Sequence, residues 1–200
     1  MAYHHGDLRA ALVQSGREQL AEAGVAGFSV ARVARRVGVS SGAPYRHFPD
    51  RETLLAAVAQ QVAADLTDAL RQAADAAGED PADRLTAAAG AYTRHVLTQG
   101  VGFDLLYLGE LQDHRFSALH EHTRTLMDLL IQLGDDASPA PTRAGSQPLM
   151  SQVMAAAHGY AALTAGGLTP TTTPLTVEET VSRTADAVRT LIAGNHTLNS

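Results

Sequence analysis

The chain has 200 residues, enough to bury a sizeable core, and no cysteine, which excludes a disulfide framework or a thiolate zinc site. No apolar run reaches the roughly 20 residues that a membrane-spanning helix needs, and no secretory signal is recognisable, so we expect a cytoplasmic protein without a membrane partner. The net charge of −6 disfavours DNA binding by the whole chain. The charge is unevenly distributed, however: residues 1–51 carry seven Arg against four acidic residues, and residues 52–200 carry eight Arg against seventeen acidic residues. The N-terminal part is therefore basic and the remainder acidic.

The chain is expected to be all-α, because alternating runs of β-branched and aromatic residues are absent and Ala, Leu, Gln and Arg dominate. The first helix is predicted over residues 7–24, where Gly24 acts as a C-cap. Two short helices follow between residues 28 and 50. A long helix then begins after the N-cap Asp50 and ends around Gly78.

The C-terminal part is predicted to be helical as well. Its elements are a helix 81–100, a short apolar segment 101–111, a helix 116–133, a loop 134–147 rich in Pro, Ser and Gly, a helix 148–166 and a helix 177–194. Asp80 before Pro81 is an N-cap, and Thr176 with Glu179 predicts a capping box. The expected fold therefore has nine helices, with a helix-turn-helix domain at 1–51 and a helical ligand-binding and dimerisation domain at 52–200.

The main functional signal lies in residues 28–55, FSVARVARRVGVSSGAPYRHFPDRETLL. Ser29 can cap a short helix, Gly38 follows where a tight turn needs a permissive backbone, and Ser40 can cap the next helix. Two short helices joined by such a turn form a helix-turn-helix, whose second helix can enter the major groove of DNA. The sequence therefore predicts binding to double-stranded DNA.

The second of these helices begins with small side chains, so its backbone can approach DNA closely. Tyr45 and Arg46 then supply groups that suit phosphate oxygens or a guanine edge, and Phe48 is expected to anchor the helix in the core. The residues predicted to contact DNA are Ser29, Arg32, Ser40, Ser41, Gly42, Ala43, Tyr45, Arg46, His47 and Arg51.

This segment resembles the DNA-binding head of the TetR (tetracycline-repressor-like) family, whose recognition helix typically ends in Tyr-x-His-Phe before a helix that begins with Lys. Here the residues are Tyr45-Arg46-His47-Phe48, with Arg51 in the place of Lys. The N-terminal residues 3–9, YHHGDLR, resemble the branch of that family with a C-terminal Trp-x-x-x-His-Gly motif. The chain has His158-Gly159 there, with Met154 in place of Trp.

The resemblance implies a homodimer formed through residues 148–194, which would bind a palindromic operator, and a pocket for a small-molecule effector. The small residues Ala155, Gly159, Ala162 and Gly166 share one predicted helix face, which suits close helix packing. The residues predicted to line the ligand pocket are Tyr92, Phe103, Tyr107, Phe116, Met127, Met154 and His158. Each of them could instead be an ordinary core residue.

Other classes of function have weaker support. No phosphate loop, Gly-x-Ser-x-Gly motif or Cys nucleophile is present, so we expect neither an enzyme nor a cofactor. Among the nine histidines the only ligand-like spacing is that of Glu110 and His114, and we expect no metal site. The main alternative to a repressor released by a small apolar or aromatic molecule is a ligand-independent helical DNA-binding or partner-binding protein.

Overall fold

Helices joined by short turns make up the fold in a computed structural model, which describes residues 5–101, 103–139, 143–169 and 173–198. The helices are α1 (His5–Ala23), α2 (Val30–Val37), α3 (Arg51–Ala76), α4 (Pro81–Gln99), α5 (Phe103–Leu106), α6 (Ser117–Ala137), α7 (Arg143–Ala165) and α8 (Val177–Leu198). Short 3₁₀ helices lie at Pro44–Arg46, Gly109–Leu111 and His114–Phe116. No strand occurs in these ranges, and the all-α prediction is confirmed, with eight α-helices there instead of nine.

The chain divides into two compact units. Unit 1 comprises the described parts of Met1–Ala64 and Gly100–Thr123, and unit 2 those of Asp65–Gln99 and Arg124–Ser200. These bounds do not follow the predicted domain boundary after residue 51, because unit 1 extends along α3 and includes the segment from Gly100 to Thr123. The assignment of DNA-binding and ligand-binding roles to the predicted domains remains a prediction.

Unit 1 has a core built mainly by α1, α2 and the first turns of α3. Its apolar side chains recur at helical spacing, so that each helix buries one face, and α1 packs on α2. The buried side chains of this core include Leu12, Leu20, Phe28, Val30, Val33, Phe48, Leu54, Leu55 and Val58.

Unit 2 is built around α4, which packs against both α7 and α8, while α7 and α8 also pack on each other. Threonines lie within this core. The hydroxyls of Thr93 and Thr184 are 3.1 Å apart. Those of Thr180 and Thr184 donate to the carbonyls four residues earlier, at Thr176 and Thr180. These buried polar groups therefore have hydrogen-bond partners.

Three of the helix starts that the sequence predicts from polar caps are confirmed, those after Asp50, Asp80 and Thr176. Asp50 Oδ1 accepts from the Thr53 amide at 2.7 Å, and Asp80 Oδ1 accepts from the Asp83 amide at 3.0 Å. At α8 the capping box is complete: the Thr176 amide donates to Glu179 at 2.8 Å, and the Glu179 amide donates to the Thr176 hydroxyl at 3.2 Å.

The loop predicted over residues 134–147 is wrong at both ends. α6 continues to Ala137, and α7 begins at Arg143, before the expected start at residue 148. Gly134 is a packing residue, since a Cβ added there would overlap the side chain of Met150. Residues 140–142 of the predicted loop lie outside the described residues. Composition misled here because the polar, Gly-containing stretch is stabilised by packing rather than by local helix propensity.

The predicted end of the last helix at Gly194 is also wrong, because α8 continues to Leu198. An isolated glycine lowers helix stability by only about 1 kcal/mol, so it does not by itself end a helix.

Candidate nucleic-acid interface and ligand cavity

The turn after α2 has the geometry that the sequence predicts. Gly38 adopts φ +79°, which favours glycine, and its amide donates to the Arg35 carbonyl at 3.2 Å. The Val39 amide donates to the Ala34 carbonyl at 3.0 Å. These two bonds form a Schellman motif, which ends α2 and redirects the chain.

The second helix of the predicted helix-turn-helix is not a regular α-helix. Residues 41–47 instead form turns around the 3₁₀ helix Pro44–Arg46. The Ala43 amide donates to the Ser40 carbonyl at 3.0 Å and the His47 amide to the Pro44 carbonyl at 2.9 Å, which are bonds between residues three apart. Pro44 has no N–H and stands at the first position of the 3₁₀ helix, where no intrahelical donor is needed.

This 40–48 segment has an exposed face and a buried side. Tyr45 is 52% exposed, whereas Phe48 is 1% exposed and its ring lies under the Arg9 guanidinium, 5.2 Å from the ring centroid. The structure therefore confirms that Phe48 is an anchor in the core. The other residues of this segment that are predicted to contact DNA differ in exposure: Ser40, Ser41, Gly42 and Arg46 are exposed, and Ala43 and His47 are half-buried.

The start of α2 is held by a buried glutamine. Ser29 occupies the N-cap position as predicted, but its side chain makes no capping bond. The Ser29 amide instead donates to Gln19 Oε1 at 2.8 Å, and Gln19 is 3% exposed. The side-chain cap predicted for Ser29 is therefore wrong, and Gln19 is a positioning residue that periodicity alone could not identify.

The arginines of α2 differ in their availability for DNA. Arg36 forms a two-point ion pair with Glu22, with N–O distances of 2.8 and 2.6 Å, and this hydrogen bonding lowers the pKa of Glu22. Arg32 and Arg35 are exposed, and neither forms a hydrogen bond or ion pair with another described residue. The three arginines line an open groove of about 310 Å³.

Arg51, which the sequence assigns to the DNA contact set, is engaged inside unit 1. Its guanidinium donates to the carbonyls of Val25 at 3.0 Å and Phe28 at 3.4 Å and to Glu110 Oε1 at 3.0 Å. These contacts weigh against a direct contact between this side chain and DNA. The DNA contact of Arg51 stays a prediction.

The neighbouring Asp50 uses both carboxylate oxygens. Oδ1 accepts from the amide and the hydroxyl of Thr53, and Oδ2 accepts from Arg115 at 2.7 Å. The bonds from Thr53 and then the pairing with Arg115 lower the pKa of Asp50, although burial opposes this shift. The carboxylate at the start of α3 is therefore stabilised in its charged form.

Unit 2 contains a small apolar cavity near the predicted ligand residues. Its volume is about 20 Å³, which is room for about one water molecule, whereas ligand pockets usually measure about 300–1,000 Å³. Tyr92 and Met154, two of the residues assigned to a ligand pocket, line this cavity, and their role in binding a ligand stays a prediction. His158 does not line it, but its Nδ1 lies 2.7 Å from the Tyr92 hydroxyl. The other lining residues, none of which the sequence assigned to a ligand pocket, are Leu70, Leu85, Ala88, Ala89, Leu130, Met150, Val153 and Ala157.

The remaining predicted ligand residues are not brought to this cavity. Tyr107 and Phe116 belong to unit 1, where Tyr107 is 53% exposed and Phe116 lies under the Arg115 guanidinium. Met127 lies in unit 2, half-buried, and is not among the lining residues. The side chain of Phe103 lies outside the described residues.

No group of three or more His, Asp or Glu side chains in the described ranges could hold a metal ion. None of the helices described is both long and apolar enough to span a bilayer.

Comparison with known proteins places the chain among bacterial regulators. The family described as "Bacterial regulatory proteins, tetR family" matches residues 12–58. The HTH-type transcriptional regulator BetI of Stenotrophomonas maltophilia is 34% identical over 79 residues, which are 40% of this chain and 40% of that relative. The sequence match thus spans less than half the length of this curated relative.

Solved structures resemble the whole chain. A protein of unknown function from Rhodococcus sp. RHA1 is 32% identical with a TM-score of 0.75, and the match covers 97% of this chain and 98% of that one. A TetR-like transcriptional regulator from the same organism has the same fold, with 17% identity, a TM-score of 0.70 and coverage of 98% and 99%. The match at residues 12–58 identifies the chain as a member of the tetR family of bacterial regulatory proteins, and these solved structures share its fold.

Proposed function

We propose that this chain is a DNA-binding transcriptional regulator that responds to a ligand, and specifically a repressor that a small apolar or aromatic molecule releases from its operator. The observation that carries the DNA-binding part is the exposed, polar face of residues 40–46, which follows α2 in the region that matches the family. Arg32 and Arg35 add exposed positive charge to the same unit. The relatives are named as transcriptional regulators rather than enzymes, which supports a non-catalytic role.

Arginines and the hydroxyls of Ser40, Ser41 and Tyr45 give this surface donors for phosphate oxygens, which account for much of the affinity of DNA-binding proteins. Arg46 also has the reach and the planar pair of donors for a guanine edge. The small side chains at Gly42 and Ala43 allow close approach of the backbone, and a Cβ added at Gly42 would contact nothing within 4 Å.

Substitution of Arg46 tests the interface. Arg46→Ala should weaken operator binding by roughly 5- to 150-fold if the side chain contacts a base, equivalent to about 1–3 kcal/mol. If it contacts a phosphate instead, the slope of log affinity against log salt should fall by about 0.9. The operator is first enriched from random duplexes with the wild-type protein, and affinities are then measured by fluorescence anisotropy at several salt concentrations.

Arg36→Gln is the matched control, because it removes the same charge from a side chain that is already paired with Glu22. It should weaken binding less than Arg46→Ala. Equal effects of the two variants would mean that only net charge matters, and unchanged affinity in Arg46→Ala would remove this segment from the interface.

The proposal includes a homodimer formed through residues 148–194. On α7, Ala155 and Ala162 are exposed and Gly159 is half-buried, while Leu163 is 44% exposed. Gly166, in the turn after α7, is also exposed, so a surface with small side chains remains uncovered in the single chain. A dimer with twofold symmetry would place two heads on half-sites roughly 34–36 Å apart, or a multiple of that spacing. Sedimentation of the operator complex should give an even number of chains for each palindrome.

The ligand-responsive part rests on the cavity beside Tyr92 and Met154. Its lining is apolar and includes Tyr92, whose hydroxyl lies 2.7 Å from His158 Nδ1 and could turn towards a ligand. Because the cavity has a volume of only about 20 Å³, a ligand would bind a conformation in which the flexible side chains of Met150 and Met154 have moved aside.

Met154→Arg tests this cavity, because a long charged side chain would occupy the space that the ligand needs. A panel of aromatic and aliphatic compounds is screened for release of operator DNA by the wild type, with an expected 5- to 150-fold loss of operator affinity at saturation. The variant should bind operator but no longer respond.

Gln132→Arg, at an exposed position of α6 in the same unit, controls for the added charge and should respond like the wild type. A full response by Met154→Arg would remove the cavity from the mechanism. Absence of any response by the wild type to the whole panel would favour the ligand-independent alternative.

A further inference from the structure

Two ion pairs connect the start of α3 to the segment Gly100–Thr123 within unit 1. Arg51 Nη1 lies 3.0 Å from Glu110 Oε1, and Arg115 Nη1 lies 2.7 Å from Asp50 Oδ2. Asp50 and Arg51 are consecutive and opposite in charge, and each meets its complement on a segment about 60 residues further along the chain. We call these contacts the α3 ion pairs.

The first of the α3 ion pairs acts on the start of the helix-turn-helix. Besides Glu110, Arg51 binds the carbonyls of Val25 and Phe28, and its guanidinium lies 5.6 Å from the centroid of the Phe28 ring. The residues from 25 to 28 join α1 to the N-cap Ser29 of α2. Glu110 thus orients the guanidinium that holds the chain where α2 begins.

The second pair acts on the end of the helix-turn-helix. Asp50 follows the buried Phe48, and its Oδ1 caps α3 while Oδ2 accepts from Arg115. Arg115 is itself held over the ring of the buried Phe116, 4.5 Å from the ring centroid. Because stacking on Phe116 limits its movement, the Arg115 guanidinium restricts the orientation of the Asp50 carboxylate.

We propose that Glu110 and Arg115 are positioning residues for the DNA-contacting surface, because they fix the two chain segments that flank the helix-turn-helix. This inference rests on the proposed DNA-binding function. The side chains of both pairs are 31–46% exposed, so each pair contributes little to global stability, and the effect of losing it should appear in local geometry.

The sign of the effect of Glu110→Gln separates positioning from simple electrostatics. Removing a negative charge from unit 1 should strengthen DNA binding if only the net charge matters, since phosphates repel carboxylates. If Glu110 positions Arg51, the same variant should weaken binding to the selected operator, by about threefold to tenfold, while binding to non-specific duplex changes less. Glu79→Gln, at an exposed position of unit 2, is the control for the same change of net charge.

Arg115→Gln and the double variant complete the test, with operator and non-specific affinities measured by fluorescence anisotropy and the thermal midpoint measured for each protein. The double variant should lose more operator affinity than either single variant, with a midpoint within about 4 °C of the wild type. Amide hydrogen exchange should become faster at residues 25–30 in Glu110→Gln and at residues 50–53 in Arg115→Gln, and remain unchanged in unit 2.

Operator binding by Glu110→Gln that equals or exceeds that of the wild type, with unchanged exchange at residues 25–30, would overturn the inference and leave the proposed function intact. If the wild type selects no operator at all, the proposed function fails and the DNA-positioning role fails with it. The exchange measurement then reports separately whether the α3 ion pairs order the flanking segments.

Discussion

Replacement of Phe48 by alanine is expected to lower the free energy of unfolding by about 3–5 kcal/mol. The ring is 1% exposed and contacts the Arg9 guanidinium, so its removal leaves a cavity and an arginine without its aromatic partner. Because Phe48 directly follows the exposed segment 40–46, the loss should also disorder that segment and weaken DNA binding. Urea denaturation followed by circular dichroism measures the first effect, and anisotropy with the selected operator measures the second.

Tyr45→Ala is the matched control, since Tyr45 is an aromatic residue of the same segment that is 52% exposed. Exposed substitutions usually change stability by less than about 0.5 kcal/mol, so this variant should remain folded. It should nevertheless bind operator more weakly. If Tyr45→Ala and Phe48→Ala destabilised the protein equally, the division of this segment into an exposed face and a buried anchor would be wrong.

Turn and cap residues allowed much of unit 1 to be predicted from the sequence. Gly38 marks a turn because the left-handed backbone that ends α2 favours glycine, and Asp50 marks a helix start because its carboxylate reaches an amide three residues away. The same kind of local reasoning missed the 3₁₀ geometry around Pro44.

Contacts between distant residues could not be predicted in this way. Arg51 reads as one more basic residue beside a DNA-binding motif, yet its partner Glu110 lies 59 residues away. Aromatic residues such as Tyr107 and Phe116 suit a ligand pocket by composition, but composition does not indicate that they belong to unit 1. The size of the cavity beside Met154 depends on how several helices pack, which no single helix pattern specifies.

A second large effect is expected at Gly100, which belongs to unit 1. Gly100 adopts φ +70°, and a Cβ added there would lie 2.9 Å from Ala21 Cα and 3.0 Å from Ala21 Cβ. Gly100→Ala should therefore lower the free energy of unfolding by about 2–4 kcal/mol, because backbone strain contributes about 1 kcal/mol and overpacking about 1–3 kcal/mol. Urea denaturation provides the measurement.

Gly24→Ala separates the two causes. Gly24 has φ +63°, similar to that of Gly100, and belongs to the same unit, but a Cβ there would meet nothing within 4 Å. This variant should lose only the strain contribution, about 1 kcal/mol. The difference between the two variants then measures the close approach of Gly100 to α1.

The Ala21 Cα atom belongs to the backbone, so Ala21→Gly in the Gly100→Ala background should restore only part of the loss. Equal effects at Gly24 and Gly100 would mean that the segment beginning at Gly100 does not pack on α1 in solution. The α3 ion pairs would then have to hold this segment to the rest of unit 1 without the contact between Gly100 and Ala21.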